Sequence, residues 1–287
     1  MLTAIFGGIG AALCFTCSSI CASSSSRKIG PGSTLSWVMS LGLVIIIVPV
    51  AVFGKTHGMT LQTGAYLAIS GITNVVGLRI QYVCYRRAPV GIVAAIASTE
   101  GVIAAVIATV FGERMPGATI WLLLLITAGV VLAAATRDEP EEGSEFRGKI
   151  RLDSIGLLAV VALLFGVCLF TTAKAGNSLS LVWVLVPARI FGTLMFTVPL
   201  VATKKLVVTR NTFWLGLAAG TAEVTGILSY AFGARTNIAI AAVLAAQFAA
   251  LTPIVAFVLF KERLHKHQVL GICLVLVGVA IVSALEA

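Results

Sequence analysis

The chain has 287 residues, of which 59% are hydrophobic and only 11% are charged, and its mean hydropathy is +1.07. Soluble domains contain about 45–50% apolar and about 25% charged residues, so this composition excludes a globular enzyme built on one buried core. The net charge of +9 does not indicate nucleic-acid binding, because the basic residues stand mostly in short gaps between apolar runs.

Apolar runs of about 17–25 residues are typical of membrane-spanning helices. Backbone groups within lipid must be hydrogen-bonded inside their own segment, so runs of this length form helices and not barrel strands. The sequence therefore predicts an all-α integral membrane protein with ten transmembrane helices. The predicted spans are Leu2–Ala22, Ser33–Phe53, Leu61–Cys84, Ala88–Gly112, Ala118–Thr136, Ser154–Ala173, Ser180–Ala202, Thr212–Gly233, Asn237–Phe260 and Gln268–Ala284.

Short gaps with polar or turn-forming residues separate these runs, and the Ser-rich stretch Ser23–Ser26 is one of them. One long polar segment, Arg137–Asp153, divides the ten runs into five and five. It is mixed in charge and lacks apolar periodicity, so we interpret it as a flexible connector, with a ligand-binding loop as the alternative. The chain would then consist of a first five-helix repeat (1–136), the connector (137–153) and a second five-helix repeat (154–287).

A shift of 149 residues overlays the two halves at several polar, glycine and apolar positions. The matched pairs are Asn74 and Glu223, Gly77 and Gly226, Arg86 and Arg235, Phe111 and Phe260, Glu113 and Glu262, Arg114 and Arg263, Leu125 and Leu274, Gly129 and Gly278, and Val130 and Val279. Because five is an odd number, two halves with the same fold must insert in opposite orientations. Inverted repeats of this kind are a transporter architecture, in which a central site opens to one side of the membrane and then to the other.

Several polar side chains stand deep within the predicted spans, where a charge costs at least ~2.5–3.5 kcal/mol unless it faces a cavity or a partner. We predict a central substrate site, lined mainly by helices three, four, eight and nine, in which Glu100 or Glu223 binds a cationic group or a proton. The alternative is that these side chains only join helices, an interpretation that we favour for Arg189. The candidate substrate-binding residues are Glu100, Thr99, Ser98, Asn74, Glu223, Gln247, Gln81 and Arg189.

Three aromatic residues are candidates for a gate or a cavity wall: Trp37, Trp183 and Tyr230. The plainer interpretation of the two tryptophans is a place in the interfacial aromatic belt. The sequence contains no HExxH or GxSxG motif and no Asp/His cluster, so we expect no enzyme, no cofactor and no metal site. The expected partners are a small-molecule substrate and the lipid bilayer, with proton or exchange coupling, no nucleic acid, and a monomer or homodimer as the assembly.

The end of helix four, Phe111-Gly112-Glu113-Arg114, is echoed after helix nine by Phe260-Lys261-Glu262-Arg263. With the Leu/Val/Gly-rich helices that follow, these motifs resemble the EamA-type branch of the drug/metabolite transporter superfamily. The segment Ala188–Phe191 resembles a further pattern of the family's second and seventh helices, although the first half has Ser40 at the matching place. The sequence also departs from the family at helix four, where Thr99-Glu100-Gly101 contains no proline, and at helix nine, where Thr252-Pro253 comes about one turn later than usual.

The resemblance implies export or exchange of small metabolites, amino acids or related compounds among them, by alternating access in the plasma membrane of a prokaryote. An uncoupled facilitator or channel for small solutes is the alternative. Outside Arg79 and Arg189, the odd-numbered loops hold 14 Lys and Arg residues and the even-numbered loops hold 4. The positive-inside rule then places both termini outside, whereas the resemblance implies cytoplasmic termini, so the sequence leaves the orientation open.

Overall fold

The computed structural model describes residues 2–55, 58–88, 90–113 and 152–252, with single positions and short runs between 121 and 132 and between 255 and 281. All regular secondary structure in these ranges is helical. The helices are α1 (Leu2–Ile29), α2 (Pro31–Phe53), α3 (Leu61–Cys84), α4 (Val90–Ala97), α5 (Glu100–Val110), α6 (Leu152–Ser178), α7 (Leu181–Ala202), α8 (Arg210–Ala234) and α9 (Ile238–Thr252). Six of them, α1, α2, α3, α6, α7 and α8, are long and apolar enough to cross a membrane.

The first helix is longer than the sequence predicts, because α1 continues beyond Ala22 through the Ser-rich stretch to Ile29. The serine hydroxyls of this stretch find acceptors inside the helical packing. Ser23 Oγ donates to the carbonyl of Ile20 at 3.0 Å, and Ser26 Oγ donates to the carbonyl of Tyr82 on α3 at 3.1 Å. Ser23 thus bonds to its own helix and Ser26 to a neighbouring one, so neither hydroxyl is buried without an acceptor.

The second half also begins earlier than predicted. Leu152 and Asp153, assigned by the sequence to the connector, form the start of α6. The rest of the connector and the motif Phe260–Arg263 lie outside the described residues. The predicted fifth and tenth helices fall on ranges of which the structure describes only isolated helical positions.

The predicted fourth helix is interrupted between α4 and α5. The backbone N–H of Thr99 donates to the carbonyl of Ile96 at 3.3 Å, which is the three-residue spacing of a tighter turn. Within α9 the N–H of Gln247 donates to the carbonyl of Leu244 at 3.1 Å with the same spacing. Because Ser98 falls on Gln247 after the shift of 149 residues, the two interruptions lie within one residue of each other.

The end of α5 is a turn that favours glycine. Gly112 has a φ of +94°, a backbone conformation that side chains with a Cβ rarely adopt. The N–H of Glu113 donates to the carbonyl of Ala108, and the N–H of Gly112 donates to the carbonyl of Thr109, both at 3.0 Å, which together form a Schellman motif. The Glu113 carboxylate then accepts the N–H of Ile238 at 2.7 Å and so caps the first turn of α9.

Glycines allow the helices around the centre to approach closely. A Cβ on Gly7 would lie 2.6 Å from the backbone of α8, so α1 and α8 are in backbone contact there. A Cβ on Gly77 of α3 would lie 2.6 Å from the ring of Phe165 on α6, and a Cβ on Gly226 of α8 would lie 2.6 Å from the ring of Phe15 on α1. Small residues at helix contacts are the usual packing device within membranes. Gly77 and Gly226, which the shift of 149 residues aligns, therefore have the same role: one lies at the contact of α3 with α6 and the other at the contact of α8 with α1.

Candidate functional site

A cavity lies among α1, α3, α6 and α8, and Glu100 of α5 and Phe248 of α9 complete its wall. It encloses about 640 Å³ of empty space, including its opening. The wall combines aromatic and aliphatic side chains with a set of polar ones. The polar set is Ser18, Ser19, Asn74, Gln81, Tyr82, Tyr85, Glu100, Cys168, Thr172, Glu223 and Tyr230.

Many of the lining residues form pairs separated by 149 positions. These pairs are Ser19 and Cys168, Asn74 and Glu223, Leu78 and Ile227, and Gln81 and Tyr230. The wall therefore contains matched positions from both halves of the chain. Within each pair the side chains differ, so positions that match in sequence present different chemistry to the cavity.

Five of the residues singled out from the sequence come together in this wall: Glu100, Asn74, Glu223, Gln81 and Tyr230. The Tyr230 hydroxyl donates to the carbonyl of Leu169 at 2.8 Å, which holds its ring in place. Their position on one cavity makes the substrate-binding role possible, and that role stays a prediction.

The remaining candidates do not line the cavity. Ser98 and Thr99 lie at the interruption between α4 and α5, where Thr99 Oγ1 donates to the carbonyl of Ile96 at 2.8 Å. At the corresponding interruption in α9, Gln247 Nε2 donates to the carbonyl of Val243 at 2.9 Å. The Thr99 and Gln247 side chains thus bond to their own helices, which satisfies backbone groups beside the interruptions.

The two tryptophans also lie away from the cavity wall. Trp37 Nε1 donates to the carbonyl of Val207 at 3.0 Å, and its ring packs edge-on against Phe213 with the ring centroids 5.7 Å apart. Trp183 lies in the short 3₁₀ turn Leu181–Leu185 that opens α7 and packs against a hydrophobic cluster. Of the three aromatic candidates, Tyr230 lines this cavity, and Trp37 and Trp183 do not.

Arg189 forms an ion pair with Glu223 beside the cavity. Arg189 is 0% exposed, and its Nη1 donates to Glu223 Oε2 at 3.1 Å. The same nitrogen lies 3.3 Å from Met39 Sδ on α2, and a Cβ on Gly42 would lie 3.0 Å from Arg189 Cδ. Arg189 does not belong to the wall, so it acts on the cavity through Glu223, whose charge it compensates.

Glu100 differs from Glu223 in having no such partner. It is 4% exposed, and within the described ranges its side chain has neither a hydrogen bond nor an ion pair. It lies in the first turn of α5, where the helix dipole favours a negative charge. No described Lys, Arg or His lines the cavity.

Sequence reasoning missed the contribution of α1 and α6. The wall includes Ser18 and Ser19 of α1 and Cys168 and Thr172 of α6, whereas helices three, four, eight and nine were expected to dominate. Small polar residues are common in apolar helices because they bond to their own backbone, so they carry little signal. The one sequence feature that could have pointed to them is the shift of 149 residues, which aligns Ser19 with Cys168.

Comparison with known families decides the chain's class. The model of the EamA family, described as the EamA-like transporter family, matches residues 2–135. These 134 residues, a little under half of the 287-residue chain, are similar to the EamA-like transporter family. The resemblance noted in the sequence is thereby confirmed. Together with the six long apolar helices, it makes this EamA-like chain an integral multi-pass membrane protein.

A solved structure described as "Crystal structure of protein" superposes on the EamA-like chain with a TM-score of 0.75 at 16% sequence identity. The superposition covers 99% of this chain and 98% of the other. At this identity the match shows that the fold is shared and nothing about activity. No curated protein sequence gives a significant match. The match of residues 2–135 to a transporter family is consistent with the expectation that the chain is not an enzyme.

Proposed function

We propose that this EamA-like chain is a secondary transporter that moves small metabolites, amino acids or related compounds among them, by alternating access. The observation that carries the proposal is the cavity wall, to which both halves contribute matched positions. In an inverted repeat, rocking of one half against the other opens such a site to the two sides of the membrane in turn.

The architecture in this proposal is ten transmembrane helices in two inverted repeats, residues 1–136 and 154–287, joined by the connector 137–153. The proposed location is the plasma membrane of a prokaryote. Two observations support the repeat. The first is that helix interruptions occur at matched positions, beside Ser98 and Gln247. The second is that Gly77 and Gly226, also at matched positions, both make close helix contacts.

Alternating access is tested at Cys168, a native cysteine of the cavity wall. The chain has six cysteines, so the other five are replaced by alanine. Reaction of Cys168 with a small, membrane-impermeant methanethiosulfonate reagent is then measured in right-side-out and inside-out vesicles. We expect reaction from both sides. A matched variant that keeps only Cys84, which is buried outside the cavity wall, should react from neither side.

Labelling of Cys168 from one side alone would contradict alternating access. Coupling is tested separately, with the protein in liposomes across which a pH gradient is imposed. A proton-coupled transporter responds to the gradient, and we expect Glu100→Gln to abolish that response. Flux that ignores the gradient in both proteins would indicate exchange or an uncoupled facilitator.

A further inference from the structure

We infer that the cavity selects protonated organic amines with an apolar or aromatic body, and that the Glu100 carboxylate binds the ammonium group. This inference rests on the proposed function, because it names the substrate class of the same cavity. Three independent features carry it: the charge of the wall, its unpaired acceptor oxygens, and its aromatic surface.

The first feature is charge. Two carboxylates line the cavity, and Arg189 compensates that of Glu223 at 3.1 Å. Glu100 has no compensating partner in the described part of the chain, so the wall formed by the described residues has one carboxyl group without a counter-charge. A buried charge is unfavourable until it is paired. A cationic ligand pairs it, a neutral ligand leaves it unpaired, and an anionic ligand adds repulsion.

The second feature is hydrogen bonding. Asn74 Oδ1 and Glu223 Oε1 belong to wall residues and are buried without a hydrogen-bond partner among the described residues. With the Glu100 carboxylate they form a set of acceptors that lack donors. A primary ammonium group has three N–H donors and no acceptor, so it complements this set. A carboxylate ligand offers acceptors only. It could accept from the Tyr82 and Tyr85 hydroxyls, which are also buried without described partners, but it would leave the oxygens of Asn74, Glu223 and Glu100 unpaired.

The third feature is the aromatic surface. Six aromatic rings line the cavity: Phe15, Tyr82, Tyr85, Phe165, Tyr230 and Phe248. The rings of Phe15 and Phe248 meet edge-on with centroids 6.4 Å apart, and those of Tyr82 and Tyr85 are stacked at 6.0 Å. Aromatic faces attract cations and also bury an apolar body, so the same wall serves both parts of an amine ligand.

The charge balance also discriminates against zwitterions. An amino acid would bring its carboxylate into a wall with no described basic side chain. Arg189 lies outside the wall, and its charge is already paired with that of Glu223. The expected preference is therefore for an amine over the amino acid of the same side chain.

Four ligands with one aromatic body and different charges test the inference. They are 2-phenylethylammonium, 2-phenylethanol, phenylalanine and 3-phenylpropionate. Purified full-length protein in lipid nanodiscs is tested for binding of radiolabelled 2-phenylethylammonium, with the others as unlabelled competitors. We expect the amine to bind and each of the other three to compete at least about ten-fold more weakly. The alcohol and 3-phenylpropionate leave the Glu100 charge unpaired, and phenylalanine brings a carboxylate that no described basic side chain of the wall can pair.

Three variants locate the interaction. Glu100→Gln should weaken amine binding by about ten-fold or more, since the charge is lost while the shape is kept. Glu100→Asp keeps the charge and should retain part of the affinity. Thr109→Val is the matched control on the same helix, at an exposed position outside the wall, and should bind as the wild type does. The wild-type ligand ranking tests the inference even where a variant fails to fold.

The inference is overturned if the alcohol binds as tightly as the amine, if none of the four ligands binds, or if folded Glu100→Gln binds the amine as the wild type does. These failures are separable from failure of the proposed function. Cys168 labelled from both sides without amine selectivity would leave the transporter standing and remove the substrate class. Selective amine binding with Cys168 labelled from one side only would support the ligand class and contradict alternating access.

Discussion

The buried ion pair between Arg189 and Glu223 leads to a prediction about stability. Replacing Arg189 by methionine leaves the Glu223 carboxylate 4% exposed without its ion-pair partner. Removing one member of a buried ion pair costs ~3–5 kcal/mol, because the remaining charge is uncompensated. We expect Arg189→Met to lower the free energy of unfolding by about that amount, and Glu223→Gln to have a comparable effect.

The double variant Arg189→Met with Glu223→Gln removes both charges and should recover most of the loss. The wild-type pair already leaves Arg189 Nε, Arg189 Nη2 and Glu223 Oε1 without described partners, so little hydrogen bonding is given up. Replacing a whole buried pair by neutral groups is often close to neutral. The expected coupling energy between the two sites is therefore at least ~2 kcal/mol.

The assay is equilibrium unfolding by SDS in mixed micelles, followed by tryptophan fluorescence. Arg235→Met is the matched control, because Arg235 donates to the carbonyls of Gly176 and Leu179, each at 2.9 Å, and its removal leaves no carboxylate of the described residues without its partner. It should cost less than Arg189→Met. The reasoning fails if the double variant loses the sum of the two single losses, with a coupling energy below ~0.5 kcal/mol.

Four glycine substitutions give further predictions, and those of Gly112, Gly7 and Gly64 are measured in the same unfolding assay. Gly112→Ala should cost ~1–2 kcal/mol, because it places a Cβ at a φ of +94°, and an unchanged unfolding free energy would contradict the assigned turn. Gly7→Ala should cost ~1–3 kcal/mol, because the added Cβ overpacks α1 against α8. Gly64→Ala, whose Cβ would have nothing within 4 Å, is the control and should be neutral or stabilising. Equal effects of the two substitutions on the unfolding free energy would refute the close contact at Gly7. Gly77→Ala should displace the ring of Phe165, which lines the cavity. We expect the loss of binding free energy for 2-phenylethylammonium in nanodiscs to exceed the loss of unfolding free energy. Undiminished binding would show that the ring does not move into the cavity.

Much of the fold could be predicted from local sequence. Run length and composition predicted the membrane class, because lipid leaves a chain of this kind no alternative to internally hydrogen-bonded helices. The bounds of α3, Leu61–Cys84, agree with the prediction to the residue. The end of α1 did not follow from sequence, because the continuation through Ser23–Ser26 depends in part on an acceptor supplied by α3, the carbonyl of Tyr82.

The candidate site was predictable only in part. The offset of 149 residues aligned Asn74 with Glu223 before both were found on one wall. The serines of α1 and the side chains of α6 were missed, because the rotation of each helix about its axis is decided by packing. Apolar surroundings inside a membrane protein resemble lipid, so hydrophobicity alone does not show which face of a membrane helix turns inward.

Glu100 and Glu223 show the division between sequence and tertiary structure. The sequence by itself determined that each is a lone glutamate within an apolar segment, and therefore that each needs a cavity or a partner. Only the tertiary structure decided that Arg189 compensates Glu223 while Glu100 faces the cavity without a described partner. The physical reason is that the electrostatic state of a buried charge depends on groups within a few ångströms in space, and helix packing brings those groups together from distant parts of the chain.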